Sequence, residues 1–189
     1  MKVVISVGNS KMGRIPNISL PPITTCRSDV LCGGDCYAMK SYRIYPSVRE
    51  AWDYNLIIYQ KSSKEYWDKI HEYARRWHPE RFRFHVGGDF PDRYYPKYLA
   101  ALAEKTPRTR YLVFTKRYSW VPSDLPENLS VVHSVWPGMK LPRRKGPRAW
   151  LTSDPRLPVE YYKCSGSCTE CDRCWDLARL GLDVAFDLH

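Results

Sequence analysis

Residues 81–89 read RFRFHVGGD, a strand running into a Gly-Gly-acid turn, and this stretch decides the fold. A helix is expected just beyond it, near Pro96 to Lys105. TRYLVFTKR (109–117) and LSVVHSVWPG (129–138) then each read as a strand that ends in polar or turn residues. RAWLTSD (148–154) and GLDVAFDLH (181–189) are shorter strand candidates. Upstream, KVVISVG (2–8) is a β-branched run closed by glycine and is expected to be the first strand. Between it and residue 81, Ser47 to Gln60 and Ser62 to Trp77 read as two helices. The second opens on SSKE, where Ser62 and Glu65 have the spacing of a capping box. Its Tyr66, Ile70, Tyr73, Ala74 and Trp77 share one face and are expected to line the core. Strands alternating with helices early on, and with irregular segments later, predict an α/β protein with a mainly parallel sheet. Functional groups should gather at its strand ends.

At 189 residues the chain is expected to form one domain spanning 1–189, large enough to bury a core without disulfide staples. There is no internal repeat or low-complexity tract, and no run approaches the roughly 20 apolar residues of a membrane span. The opening residues are too short an apolar run for a signal peptide. The expectation is a soluble cytoplasmic protein with reduced thiols. A formal charge of +10 and a pI near 9.3 favour an anionic partner, nucleic acid being the commonest. The densest basic stretch, KLPRRKGPR (140–148), is broken by prolines and reads as an extended loop. It offers Lys140, Arg143, Arg144, Lys145 and Arg148 to such a partner.

The seven cysteines fall into two groups, and an odd total argues against complete internal pairing. Cys26, Cys32 and Cys36 have the pattern C-x5-C-x3-C, with Gly33 and Gly34 free to fold the backbone so that the sulfurs face one point. Three thiolates suit an iron-sulfur cubane with one iron left open; a zinc knot completed by Asp29, Asp35 or a distant histidine is the alternative. Cys164, Cys168, Cys171 and Cys174 form a compact four-thiolate set, again suited to a cubane, with zinc as the alternative. No G-x-S-x-G elbow, H-E-x-x-H helix or Walker loop is present, which disfavours hydrolase and nucleotide-hydrolysing readings. The five histidines are scattered; His85 and His133 stand out because both fall on predicted strands, and His189 ends the chain.

Taken in order, CGGDCYA (32–38) with Cys26 before it, FHVGGDF (84–90), VFTKR (113–117) and CTECDRCW (168–175) resemble a phage and prophage gene-product family related to radical S-adenosylmethionine proteins. The resemblance implies a partial (β/α) barrel of about six strands with a 4Fe-4S cluster at one mouth. It implies that Cys26, Cys32 and Cys36 hold that cluster, and that its open iron chelates S-adenosylmethionine and cleaves it reductively to methionine and a 5′-deoxyadenosyl radical. Gly87, Gly88 and Asp89 stand where the family's Gly-Gly-acid motif holds the amino group of that cofactor. Thr115, Lys116, His133 and Ser134 follow as candidates from their position on later strands. The four-cysteine group would hold a second 4Fe-4S cluster, as electron relay or clamp, and an electron donor would be a partner. The spacing departs from the family's usual C-x3-C-x2-C, and Asp89 stands where glutamate is commoner. A nucleic-acid-binding module with structural metal sites, and a redox protein that never binds S-adenosylmethionine, are the competing expectations.

Overall fold

The computed structural model describes residues 2–9, 11–29, 32 and 34–188; Gly33 and His189 lie outside the described residues. Among the described residues, eight strands form one sheet. A hairpin of β1 (Ser6–Asn9) and β2 (Gly13–Ile18) opens the chain, and β2 then begins a parallel run with β3 (Arg81–Phe84), β4 (Arg110–Thr115), β5 (Leu129–Ser134) and β6 (Arg148–Leu151). The last two strands, β7 (Tyr162–Lys163) and β8 (Val184–Phe186), complete the order β1-β2-β3-β4-β5-β6-β8-β7. Among the described residues, only the β1–β2 pair is antiparallel. The sheet is open, with β1 and β7 at its edges.

Two sequence expectations shift here. The apolar run at residues 2–8 contributes only the edge strand β1, starting at Ser6, and the first parallel strand is β2, whose GRIPNI sequence is masked by glycine, proline and asparagine, all weak strand formers. Eight strands rather than about six follow from that hairpin and from the two-residue β7.

The helices are α1 (Tyr37–Ile44), α2 (Pro46–Lys61), α3 (Ser63–Trp77), α4 (Tyr95–Lys105) and the short α5 (Leu177–Leu180). Ser62 caps α3, its Oγ accepting from the Glu65 N–H at 3.2 Å, as the capping box requires. Tyr66, Ile70 and Ala74 of the expected stripe are buried and Tyr73 packs against them, but Trp77 is 62% exposed. It is the last helical residue before the left-handed His78 ends α3, and Arg76 covers its ring.

Strand alternation divides the sheet into two faces. Phe82, Phe84, Tyr111, Val113, Leu129 and Val131 face α2, α3 and α4 in the larger core. Leu112 and Val132, with Met12, Ile15, Ala149 and Val184, face the other way and are covered by Trp175 and Leu177 of the C-terminal segment. One face is thus closed by helices and the other by the stretch that carries the last four cysteines. Among the described residues no helix is long and apolar enough to cross a membrane.

Candidate functional site

The loop after β2 rises over the carboxyl ends of the parallel strands and brings Cys26, Cys32 and Cys36 there, all half-buried and unpaired. Two arginines pin it to the end of β4. Arg27 donates to the Lys116 carbonyl at 3.1 Å, and Arg117 donates to the carbonyls of Thr25 (2.9 Å) and Cys26 (3.1 Å) while stacking 4.2 Å over Trp120. Thr25 Oγ1 donates to the Pro21 carbonyl and accepts from the Asp89 N–H, so the same loop is tied to the turn after β3. Cys36 is the residue from which α1 departs, its carbonyl accepting from the Met39 N–H at 3.0 Å.

Burial pushes the Cys26 thiol up to about 11, with Asp89 and Cys36 acting in the same direction and Lys116 opposing. Burial also raises Cys32, against the pull of Lys116. Lys116 is therefore the cation of this mouth: its ammonium donates to Ser134 Oγ at 3.0 Å and lies 6.0 Å from the centre of the Trp136 ring.

The Gly-Gly-acid turn is built into the scaffold. A side chain on Gly87 would meet the Trp52 ring at 2.3 Å, and Gly88, at φ +81°, has the Leu20 carbonyl oxygen 2.5 Å from where a Cβ would stand. Asp89 is 4% exposed. Its Oδ1 accepts from Thr115 Oγ1 (2.6 Å) and the Phe90 N–H (2.7 Å), and its Oδ2 from the Lys116 N–H (2.8 Å). Burial raises this carboxyl above its ordinary range, and the hydrogen bonds from Thr115, Lys116 and Phe90 pull it back.

The strand period sorts the four remaining candidates. Lys116 and Ser134 meet each other at the mouth, whereas Thr115 turns to Asp89 and His133 is buried against Tyr118, with Gly146 beside it. Adjacent positions on a strand point to opposite faces, so the two pairs cannot serve one pocket side by side.

The four-cysteine segment lies lower, across the second face of the sheet. The Cys168 N–H donates to the Lys11 carbonyl, Arg81 donates to the Cys168 carbonyl at 3.2 Å, and Ser130 donates to the Cys174 carbonyl at 2.8 Å. Arg110 clamps the segment through Asp172 and Asp176. Burial pushes Cys174 up to about 12, Cys164, Cys168 and Cys171 add to it, and Arg83 opposes. Cys168 is raised by burial against Arg83 and Lys11. Tyr162 Oη lies 3.2 Å from Cys171 Sγ. Each thiol set thus has its own cation, Lys116 above and Arg83 with Lys11 below. Arg83 pairs in register with Leu112, four residues before Lys116, which separates the two levels by about 13 Å at roughly 3.3 Å per residue.

Residues 4–148 match the family described as Gene product 88. The chain belongs to the Gene product 88 family. No curated protein and no solved structure matches it. The span matched in this Gene product 88 protein takes in the three-cysteine loop and the Gly-Gly-acid turn, and the four-cysteine segment lies beyond it.

Among the described residues, no group of three or more His, Cys, Asp or Glu side chains is gathered so as to hold a metal ion. Asp29, a sequence candidate for a fourth ligand, is engaged by Arg27. Two open clefts lie elsewhere, on α3 around His71 and Arg75 and at the α2–α3 corner around Tyr59 and Tyr98, and none of their lining residues is a cysteine. In the basic loop Lys140, Arg143 and Lys145 are exposed, while Arg144 is half-buried and donates to the Val121 carbonyl, and Arg148 is half-buried over Trp150.

Sequence reading missed Arg27, Arg83 and Arg117. The signal for Arg83 was present in RFRF: in a central parallel strand, arginines alternating with buried phenylalanines mean that one face must accommodate charge.

His85 is a separate feature of this Gene product 88 protein. It is 3% exposed among Phe84, Phe90 and Tyr95, at φ +57°, with neither ring nitrogen hydrogen-bonded. Burial depresses it from 6.5 to about 3. The unfolded chain therefore binds a proton that the folded chain refuses, and stability falls as pH drops below 6.5. Between pH 6.5 and 5 this group alone should cost about 2 kcal/mol. Urea unfolding at both pH values should show that His85→Phe removes most of that loss; an equal loss in both proteins would mean the imidazole is solvated.

Proposed function

We propose that this protein is an iron-sulfur protein of two centres, and that the upper one binds and reductively cleaves S-adenosylmethionine. The observation that carries the reading is that Cys26, Cys32 and Cys36 stand on one loop which Arg27 and Arg117 tie to the end of β4 and Thr25 ties to the Asp89 turn, over the carboxyl ends of the parallel strands. That is where an open α/β sheet presents its functional groups, and an open parallel sheet backed by helices on one face is compatible with a partial (β/α) barrel. The donor chemistry fits an iron-sulfur cluster: two sets of soft thiols, with Lys116 acting on the upper set and Arg83 and Lys11 on the lower, cations that would offset the negative charge of a thiolate-bound centre. When bound, such a cluster supplies the electron that splits the sulfonium of S-adenosylmethionine.

The chain's own residues do the rest. Cys26, Cys32 and Cys36 would hold the upper cluster, and Cys164, Cys168, Cys171 and Cys174 the lower one, which serves as relay for an external electron donor. Lys116, with donors to spare beyond Ser134, would receive the carboxylate of S-adenosylmethionine. Gly87 and Gly88 keep the wall of the mouth free of side chains. Asp89 acts as a positioning residue through Thr115 and the Lys116 backbone. Arg27 and Arg117 hold the cysteine loop down. Reduced thiols and metal centres of this kind belong in the cytoplasm.

Equilibrium dialysis of the anaerobically reconstituted protein with S-adenosylmethionine tests the reading. Saturable binding near one per chain, lost on replacing Cys26, Cys32 and Cys36, is the expected result. Absence of binding by protein that carries its clusters would leave an electron-transfer protein.

One observation favours a second reading. Trp136, beside Lys116, begins the loop whose Lys140, Arg143 and Lys145 are exposed, so a nucleic acid held there would reach the mouth. Affinity for a single-stranded oligonucleotide should then fall steeply between 50 and 200 mM salt, by roughly tenfold or more if three or so phosphates are contacted; a flat response would remove it.

A further inference from the structure

Arg83 is a cation without a counter-ion. It is 9% exposed, at the middle of a central strand. Its Nε is buried with no hydrogen-bond partner, its Nη1 has only the Met12 sulfur at 3.8 Å, and its guanidinium lies 5.2 Å from the centre of the Phe114 ring. No carboxylate among the described residues pairs with it. The same fold treats other arginines differently: Arg110 has Glu80, Asp172 and Asp176, and Arg156 has Asp154. Guanidinium does not lose its proton in proteins, so Arg83 cannot escape by becoming neutral. A buried, unpaired charge is strongly unfavourable.

Met12, the side chain Arg83 reaches, belongs to the apolar cluster against which Phe114 and the thiols of Cys164, Cys168 and Cys174 pack. As neutral thiols they give it nothing. Bound to a metal centre as thiolates, four of them leave a net negative charge beside the guanidinium, with sulfur lone pairs to accept its N–H groups.

We infer that Arg83 is the built-in counter-charge of the four-cysteine centre, there to pair with its ligated sulfurs and to set how tightly and in which redox state the centre is held. This rests on the reading that the four-cysteine group binds metal. Arg83 is a positioning and tuning residue, since it would act through the centre's ligands and meets no substrate. A positive charge and N–H donors beside cluster sulfurs favour the reduced, more negative state.

The test uses full-length, anaerobically purified protein in which Cys26, Cys32 and Cys36 are alanine, so that only the four-cysteine centre is read. Arg83→Met, Arg83→Gln and Arg83→Lys are compared by metal content, loss of metal to a chelator, and reduction potential. Arg83→Met and Arg83→Gln are expected to lose metal about tenfold faster, and a tenfold weaker preference for the reduced state puts the potential about 59 mV lower. Arg83→Lys, which keeps the charge, should stay near the parent. If the centre binds zinc, chelator loss alone carries the comparison. Parent-like retention and potential in Arg83→Gln would overturn the inference while leaving the metal centre standing. A parent protein with no metal on these four cysteines would instead overturn the reading beneath it.

A second measurement holds even if the neutral variants fold poorly around the centre. With Cys168 and Cys174 also replaced by alanine, Arg83 has lost its purpose, and Arg83→Met should raise the melting temperature. A lower melting temperature there would mean that the arginine is kept for packing alone.

Discussion

Replacing Cys26, Cys32 and Cys36 together by alanine is expected to halve the iron and acid-labile sulfide of anaerobically purified protein, from about eight of each per chain to about four. The expectation follows from the separation of the two thiol sets. The upper set belongs to the loop over the strand ends and shares Lys116 and Asp89; the lower set is carried on the second face, with Arg83 and Lys11. Its anchors, the Arg110 clamp and the Ser130 bond to the Cys174 carbonyl, use no residue of the upper loop. Loss of the upper set should therefore leave the lower centre loaded. Zinc in place of iron in the parent protein would make both groups structural and would turn attention to the basic loop. Loss of all iron in the variant would show that the two sets depend on each other.

How much of this could be read from the chain depends on where the signal resides. Helices α2, α3 and α4 and strands β3, β4 and β5 were legible because each has a local pattern strong enough to survive without context: a cap and stripe in α3, a turn-bounded apolar run in β4 and β5. Strand β2 was not, since its residues are strand-formers only by virtue of lying between β1 and β3. The cysteines were legible as two sets, because spacing alone groups them. Their separate cations were not, because Arg83 and Lys116 reach the thiols through strand register, which a linear reading does not supply. The nominated strand-end residues illustrate the same limit. Position along the strand marked Thr115, Lys116, His133 and Ser134 alike, but which of them meet depends on the two-residue period, and only Lys116 with Ser134 form a pair at the mouth.

Asp89 offers the other large effect, and the one that separates architecture from ligand binding at the same residue. Both of its oxygens are engaged within the protein, and they join the turn after β3 to the end of β4 under the cysteine loop. Asp89→Ala leaves the Thr115 hydroxyl and the N–H groups of Phe90 and Lys116 without acceptors in a buried place, at a cost of about 3–5 kcal/mol. For a chain of this size that lowers the melting temperature by roughly 10 °C or more. Asp89→Asn keeps one carbonyl oxygen and the shape but sets an amide where the second acceptor was, so it should fall between the parent and the alanine variant. If Asp89 works through Lys116, S-adenosylmethionine binding should weaken in step with the melting temperature across the two variants, since both report the same displaced strand end. If it also contacts the amino group directly, Asp89→Asn should lose binding out of proportion to its stability. An alanine variant that melts with the parent would show that the carboxylate is not a clamp at all.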